Sequence, residues 1–390
     1  MTATDTPAVA RAIETTDKVL SHLHPEGSRD IADHPVPTGR EEIWRFTPMR
    51  RMRDLHKDAP FGSGRLEVSV EAPREVQVGV EPASAGLQGA TGFLPTDRVT
   101  ARAWQAVDEI HTLRIPSDVI VDEPVIVRHT GSATDQPVAA HTVVIAGKFS
   151  KSTVVLDFEG STVLADTVEF VVEDGAQLTV VTLDDWADDA FHHSSQHARI
   201  GRDARFKHIA VTFGGDLVRT NTSVSYAGPG GEAELLGIYF ADAGQHIEHR
   251  LFVDHDAPKT KSNVDYKGAL QGKDAHTVWI GDVLIRKVAE GIDTYESNRN
   301  LVLTAGCRAD SVPNLEIETG EIEGAGHAST TGRFDDEQLF YLQSRGIPAE
   351  EARRLVVRGF FADIINKIGI PSIEEKLLAA VELELARSNA

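Results

Sequence analysis

The sequence predicts a mainly β protein: a parallel β-helix core flanked by N-terminal and C-terminal helical regions. Three observations carry this reading. From about Leu113 to Gly332, short runs of Val, Ile, Thr and Phe, such as Val143-Val144-Ile145, Thr153-Val154-Val155-Leu156 and Thr179-Val180-Val181, are punctuated by Gly and Asp, with no long helical pattern between them. Within that stretch a small-residue signature, Gly-x-x-Ala before an apolar strand, recurs at Gly201/Ala204, Gly230/Ala233, Gly272/Ala275 and Gly306/Ala309, with weaker copies at 147–150 and 173–176. The small residues fall at 150, 176, 204, 233, 275 and 309, steps of 26, 28, 29, 42 and 34, within the range of stacked repeats. A small residue lets the backbone turn a tight corner, and the apolar strand after it stacks on the coil below. The drifting period keeps a β-sandwich as the alternative. Third, helical periodicity returns after residue 333.

The elements divide the chain into an N-terminal helical and mixed region (1–112), the β-helix core (113–333) and a C-terminal helical region (334–390). Residues 8–23 alternate apolar and polar side chains at helical spacing. A loop rich in Pro, Gly and Asp covers 24–39, and Arg40 to Pro48 reads as a short helix stopped by proline. Leu66 to Val80 alternates as strand, and Ala103 to Ile110 reads as another short helix. In the tail, Gly346 ends one helix and Pro348 opens the next, whose apolar face carries Leu355, Phe360, Phe361, Ile364, Ile365 and Ile368. Gly369-Ile370-Pro371 breaks it, and Ser372 with Glu375 forms a capping box for a last helix bearing Ile373, Leu377, Val381 and Leu385.

With 390 residues and 41% hydrophobic content the chain can bury a large core. Sixty acidic residues against 39 basic ones leave a net charge of −21, which argues against nucleic acid or an anionic membrane as partner. No apolar run approaches the roughly 18–20 residues that span a bilayer, and the N-terminus has no apolar signal core, so a cytoplasmic location is expected. A single cysteine excludes an internal disulfide framework and a multi-cysteine metal site made by this chain alone.

Few groups present themselves for chemistry. His246-Ile247-Glu248-His249 has the wrong spacing for a helical zinc motif, and a core-polar or surface role is expected. His192-His193 follows Asp184, Asp185, Asp188 and Asp189 and reads as a solvated loop. No Gly-x-x-x-x-Gly-Lys-Ser/Thr loop offers a nucleotide site, no Gly-x-Ser-x-Gly elbow occurs, and no carboxylate pair stands out, so no catalytic residue is assigned and a non-enzyme is expected. Cys307 and His327, 20 residues apart, are soft or borderline ligands suited to iron, although each also reads as an ordinary packed residue. One chain offering so few ligands would need a second to complete a cluster.

An ordered series of motifs then accumulates: Glu42-Ile43-Trp44-Arg45-Phe46-Thr47, Arg219 with Asn221, Gly237-Ile238-Tyr239, His246 to His249, His255-Asp256-Ala257-Pro258, Tyr266-Lys267, Asn298-Arg299-Asn300-Leu301 and Pro313-Asn314-Leu315-Glu316-Ile317. Together with the segment from Cys307 to Ile347, this series resembles the SufB/SufD family, the scaffold subunits of SUF iron–sulfur cluster assembly, over most of residues 40–370. SufB-type chains carry further cysteines and a glutamate where Ala328 stands, so the resemblance is to the SufD-like branch. It implies a right-handed β-helix that pairs with a SufB-like scaffold through strands at its C-terminal end. Its tail would dock a SufC-like ABC ATPase, with Phe340, Tyr341, Arg345, Gly346, Phe360 and Phe361 as docking candidates. It further implies a transient iron–sulfur cluster shared with SufB near the subunit interface, with His327 as this chain's ligand. Cys307 lies where SufB-type chains place their key cysteine, and is either a second ligand or a small packed residue. A homodimer in the partner's absence is also implied. Reduced flavin on the complex has no supporting residue pattern here. The alternative function is a β-helix enzyme acting on carbohydrate, a lyase or esterase.

Overall fold

A computed structural model describes residues 23–62, 66–334 and 336–387. Its strands are β1 (Leu66–Glu71), β2 (Gln77–Pro82), β3 (Glu109–Ile115), β4 (Val125–Ser132), β5 (Val138–Ala146), β6 (Lys151–Ser161), β7 (Val163–Val172), β8 (Gln177–Trp186), β9 (Phe191–Ile200), β10 (Arg205–Gly214), β11 (Leu217–Tyr226), β12 (Glu232–Ala241), β13 (His246–His255), β14 (Lys261–Leu270), β15 (His276–Ile285), β16 (Ile292–Val302), β17 (Arg308–Ile317) and β18 (Ile322–Arg333). The helices are α1 (Arg98–Ala106), α2 (Asp336–Ser344), α3 (Ala349–Ile365) and α4 (Pro371–Arg387).

From β3 onward each strand pairs in parallel with the strand two further along, so the chain winds as a solenoid with two nine-stranded walls. One wall runs β1-β4-β6 through β18 and the other β2-β3-β5 through β17. The parallel β-helix expectation therefore holds and the sandwich does not. Along one column the register steps through Lys151, Gln177, Arg205, Glu232, Lys261 and Asp293, coils of 26, 28, 27, 29 and 32 residues. The small residues at 150, 176 and 204 form the neighbouring column, continued by Gly231 and Thr260. Ala233 lies two residues past it, and Ala275 and Ala309 belong to the opposite wall. Mixing corners of two walls produced the apparent drift.

Alternation along each strand sends one set of side chains into the lumen and the other outward. The lumen holds the largest apolar cluster, including Val127, Leu156, Phe170, Val224, Val253 and Val283. In adjacent strands Gly237 pairs with Tyr266, and Tyr239 with Gly268. A Cβ at Gly237 would stand 2.1 Å from the Tyr266 ring and one at Gly268 1.9 Å from that of Tyr239, so each tyrosine lies over the other strand's glycine. Burial also corrects one expectation, for His192 inside the lumen and for His193 on the outer face beneath Trp44 and α1. His192 and His193 are fully buried in β9, not in a solvated loop. His192 sits between Asp184 (Nδ1 to Oδ1 3.0 Å) and Asp166 (Nε2 to Oδ1 3.1 Å). Burial disfavours its charge, but the two carboxylates prevail and push its pKa up to about 10. On β13, His246 faces outward and His249 inward, so a strand cannot aim both at one ion.

The N-terminal region covers the outer face of the β17-containing wall over β7, β9 and β11. Trp44, Met52, Leu55, Val99 and Ala103 pack on Val163, Ala165, Phe191 and Leu217. The expected helix at 40–48 is instead two single 3-10 turns, Glu42–Trp44 and Met49–Arg51, because Trp44 and Thr47 are drawn onto Arg219 of β11. That guanidinium donates from Nη1 to Thr47 Oγ1 (2.5 Å) and to the Glu248 carboxylate, and from Nη2 to the Ile43 carbonyl (2.8 Å), while lying 4.2 Å from the Trp44 ring centre. Burial alone would raise the Glu248 carboxyl, yet Arg219, His246 and Arg250 hold it well below the usual range. The helix expected at 103–110 lies earlier, as α1, because Asp97 caps the Thr100 N–H at 3.0 Å and Ile110 already pairs in β3. The helix expected over 8–23 falls almost wholly outside the described residues.

The other wall's outer face is covered by the tail. Val357, Phe361, Ile364 and Ile365 of α3 and Ile373, Leu377, Val381 and Leu385 of α4 pack on Val155, Val181, Ile209, Leu236 and Ala269, one from each of five successive strands. Polar ties follow the same span. Lys376 reaches Asp157 (2.8 Å), Lys267 pairs with Asp363 and donates to the Phe360 carbonyl (2.8 Å), and Gln271 donates to the Glu384 carbonyl (2.9 Å). α4 starts at Pro371 rather than after Ser372, and Glu374, not Glu375, reaches back to accept from the Gly369 N–H (3.0 Å).

Candidate site at the open end of the solenoid

The two ends of the solenoid differ. At the first coil, β1 and β2 lie antiparallel to β4 and β3 and close the edges. At the last, β17 pairs only with β15 and β18 only with β16, so among the described residues both outer strand edges are unpaired. Such edges offer rows of free N–H and C=O groups to another chain. The last coil is correspondingly exposed: β17 has no fully buried residue, and neither has β18.

His327 lies in the middle of β18, in the lumen-facing column Val154, Val180, His208, Leu235, Val264, Glu296 and His327. Its side chain is 44% exposed, because no further coil covers this end of the column. Directly below it Glu296 is almost completely buried, with Oε1 3.9 Å from His327 Nδ1. Neither carboxyl oxygen of Glu296 has a hydrogen-bond partner. Burial, with Asp282 second, pushes its pKa up to about 8. Across the lumen, a Cβ at residue 281 would stand 2.4 Å from Glu296 Oε2, so Gly281 leaves the room that the carboxyl occupies.

A polar ladder leads out of the lumen beside this column. Tyr239 Oη donates to Asn300 (2.7 Å) and accepts from Asn298 (2.8 Å), Asn300 donates to Asn298 (2.7 Å), Ser311 to Asn298 (2.7 Å) and Ser329 to Ser311 (2.8 Å). It ends on both strands of the open coil, and residues of the motif series build most of it.

The structure separates the two candidate ligands. Cys307 precedes β17 and turns its Sγ to the Gly272 carbonyl (3.2 Å), packing against the lumen core. Ser311 meets Ser329 across the lumen, and the strands run in opposite senses, so Cys307 and His327 lie about six residues apart along the wall, roughly 20 Å. One metal centre cannot take both. A further group, His24 Nε2 with Glu316 Oε1 (2.9 Å) and Glu318 Oε1 (3.8 Å), sits at the far end of β17, partly exposed.

The docking candidates also divide. Phe340 and Tyr341 on α2 are 72% and 57% exposed, Arg345 lies 5.1 Å over the Tyr341 ring, and Gly346 ends the turn with φ +87°. Phe360 is half-buried under Lys267. Phe361 is fully buried against the solenoid wall and is core, not surface.

Sequence reasoning missed Glu296 and the ladder. The signal was present: in β16, residues 292, 294, 296, 298 and 300 share one face, which puts Glu, Asn and Asn on the side where earlier strands carry mainly Val, Leu and aromatic residues.

Comparison with known proteins fits this geometry. A family model described as "SUF system FeS cluster assembly, SufBD core domain" matches residues 128–360, from β4 into α3. An iron–sulfur cluster assembly SufBD family protein of Mycobacterium leprae is 53% identical over 364 residues, covering 92% of this chain and 93% of that one. One of Mycobacterium tuberculosis is 54% identical over 365 residues, covering 92% and 91%. The iron–sulfur cluster assembly protein SufD of Bacillus subtilis is 27% identical over 277 residues, covering 69% and 63%. With the family model matching from β4 into α3 and the Mycobacterium leprae relative sharing more than half of the residues over nine-tenths of the chain, this chain belongs to the SufBD family of the SUF iron–sulfur cluster assembly system.

Proposed function

We propose that this protein is a SufD-like, non-catalytic scaffold subunit. It pairs with a SufB-like scaffold through the unpaired edges of β17 and β18 and docks a SufC-like ABC ATPase through α2. The observation that carries the reading is the open last coil: two strand edges, unpaired among the described residues, flank a lumen-facing imidazole whose side chain is 44% exposed. Edge-to-edge pairing with a second β-helix would satisfy those backbone groups and bring a partner's ligands to His327. The transient cluster is cargo, held between the chains. Phe340 and Tyr341 of α2, with Arg345 and Gly346 directly after it, form the exposed surface offered to the ATPase, while Phe360 of α3 lies half-buried beside Lys267. Phe361 is core and anchors α3 to the solenoid wall. Cys307, turned to Gly272, is not needed for this role.

Affinity purification of the tagged full chain from its own cells tests the reading. Recovery of an ABC ATPase and of a cysteine-richer β-helix chain is expected, and recovery of neither would overturn it. His327→Ala should keep both partners and lose cluster assembly in complementation under iron limitation. Cys307→Ala should complement like the parent.

A further inference from the structure

We propose that Glu296 is a second metal-facing group: with His327 it forms a two-donor site for a divalent cation, Fe²⁺ being the relevant one, whose remaining coordination positions open toward the partner-facing end. The inference rests on the reading of His327 as metal-facing and adds a second ligand from the strand beneath it.

Four observations converge on it. The 3.9 Å between His327 Nδ1 and Glu296 Oε1 is too long for a hydrogen bond. It suits two donors of one cation, since ligands at about 2.1 Å from a metal stand roughly 3–4 Å from each other. Second, the Glu296 side chain is only 2% exposed and both oxygens lack partners, whereas buried carboxylates in folded proteins are almost always paired or bound to metal. Third, its column is otherwise Val154, Val180, His208, Leu235 and Val264. An apolar side chain would continue the stack, so the carboxyl is not there for packing. Fourth, Gly281 holds open the space it occupies, and Asp282 adds negative field nearby. A carboxylate and an imidazole together suit borderline divalent ions.

Anaerobic titration of the full-length chain with Co²⁺ as a spectroscopic probe, repeated with Fe²⁺ by calorimetry, tests the proposal. One high-affinity ion per chain is expected, with binding weakened at least tenfold by Glu296→Gln and by His327→Ala. The metal-free Glu296→Gln protein should melt at or above the parent's temperature, because a buried unpartnered acid has been removed, while the upward shift on adding metal is lost. Gly281→Ala should weaken binding as well, by crowding the carboxyl. Parent-like binding by Glu296→Gln would overturn the proposal. So would a lower melting temperature of that variant without metal, which would give the carboxyl a structural role. Loss of the ion in His24→Ala instead would place it on the Glu316 and Glu318 group. If Glu296→Gln binds normally while His327→Ala does not, this inference falls and the scaffold reading stands. If the cation site is confirmed but no scaffold or ATPase partner is captured, the reverse holds.

Discussion

Replacing Arg219 with leucine would remove the pin that holds the N-terminal region on the solenoid. The side chain is 2% exposed and makes contacts to Thr47, Ile43 and Trp44 on one side and to Glu248 on the other. Its loss leaves the fully buried Glu248 carboxylate with the Thr47 hydroxyl donating at 2.7 Å, His246 Nε2 at 3.3 Å and Arg250 Nη1 at 3.6 Å as partial compensation. Breaking one half of a buried pair costs about 3–5 kcal/mol, and that compensation places the expected loss near the lower bound, about 3 kcal/mol. At about 1.4 kcal/mol per tenfold, the open population of the N-terminal region rises roughly 150-fold. Limited proteolysis within residues 28–62 reads that population directly when opening is fast relative to cleavage. Arg219→Leu/Glu248→Leu should recover part of the loss, since no buried charge is left, but not all, since the Ile43 carbonyl stays unpaired. The sign with pH follows from the depressed Glu248 carboxyl: its contribution is present above the unfolded carboxylate value near 4.3 and is lost as pH falls through its lower folded value. A cleavage rate within a fewfold of the parent, or a double variant as labile as the two losses summed, would refute the reasoning.

Further outcomes are expected. His192, raised to about 10, contributes stability that is complete below about pH 6.5 and decays as pH rises through 10; urea midpoints should fall over that window in the parent and stay flat in His192→Gln. Phe361→Ala should cost about 3–5 kcal/mol by urea denaturation and loosen α3, whereas Phe340→Ala should change stability by less than about 0.5 kcal/mol yet reduce ATPase co-purification. Gly268→Ala should cost about 1–3 kcal/mol by the same measurement, because its Cβ displaces the Tyr239 ring from the Asn298–Asn300 ladder.

The solenoid was legible because its cause is local: small residues at corners and apolar residues on one face of each strand are both visible in a single chain. The tail helices were legible for the same reason, with Gly346, Gly369 and Pro371 marking their ends. What escaped was set by tertiary partners. Glu41 to Phe46 carries helix-compatible residues, but Arg219, nearly 180 residues away, dictates where Trp44 and Thr47 sit. His192 looked solvated among aspartates until winding placed one of them, Asp184, and Asp166 of the preceding strand on the same wall around it inside the lumen. The candidate site was half legible. His327 stood out through its segment, but Glu296 becomes visible only when β16 is stacked beneath β18.

A stack in which each coil touches only its neighbours peels from an end one rung at a time under load. Here α3 and α4 lie across five successive rungs, from Asp157 in β6 to Lys267 in β14, as a splint bolted at several points. A tug delivered at α2 is then shared in shear among those rungs. The splint's apolar core includes no residue of β17 or β18, so the coil bearing His327 is left outside the splinted span, where it can be pried open or pressed shut without moving α3 and α4.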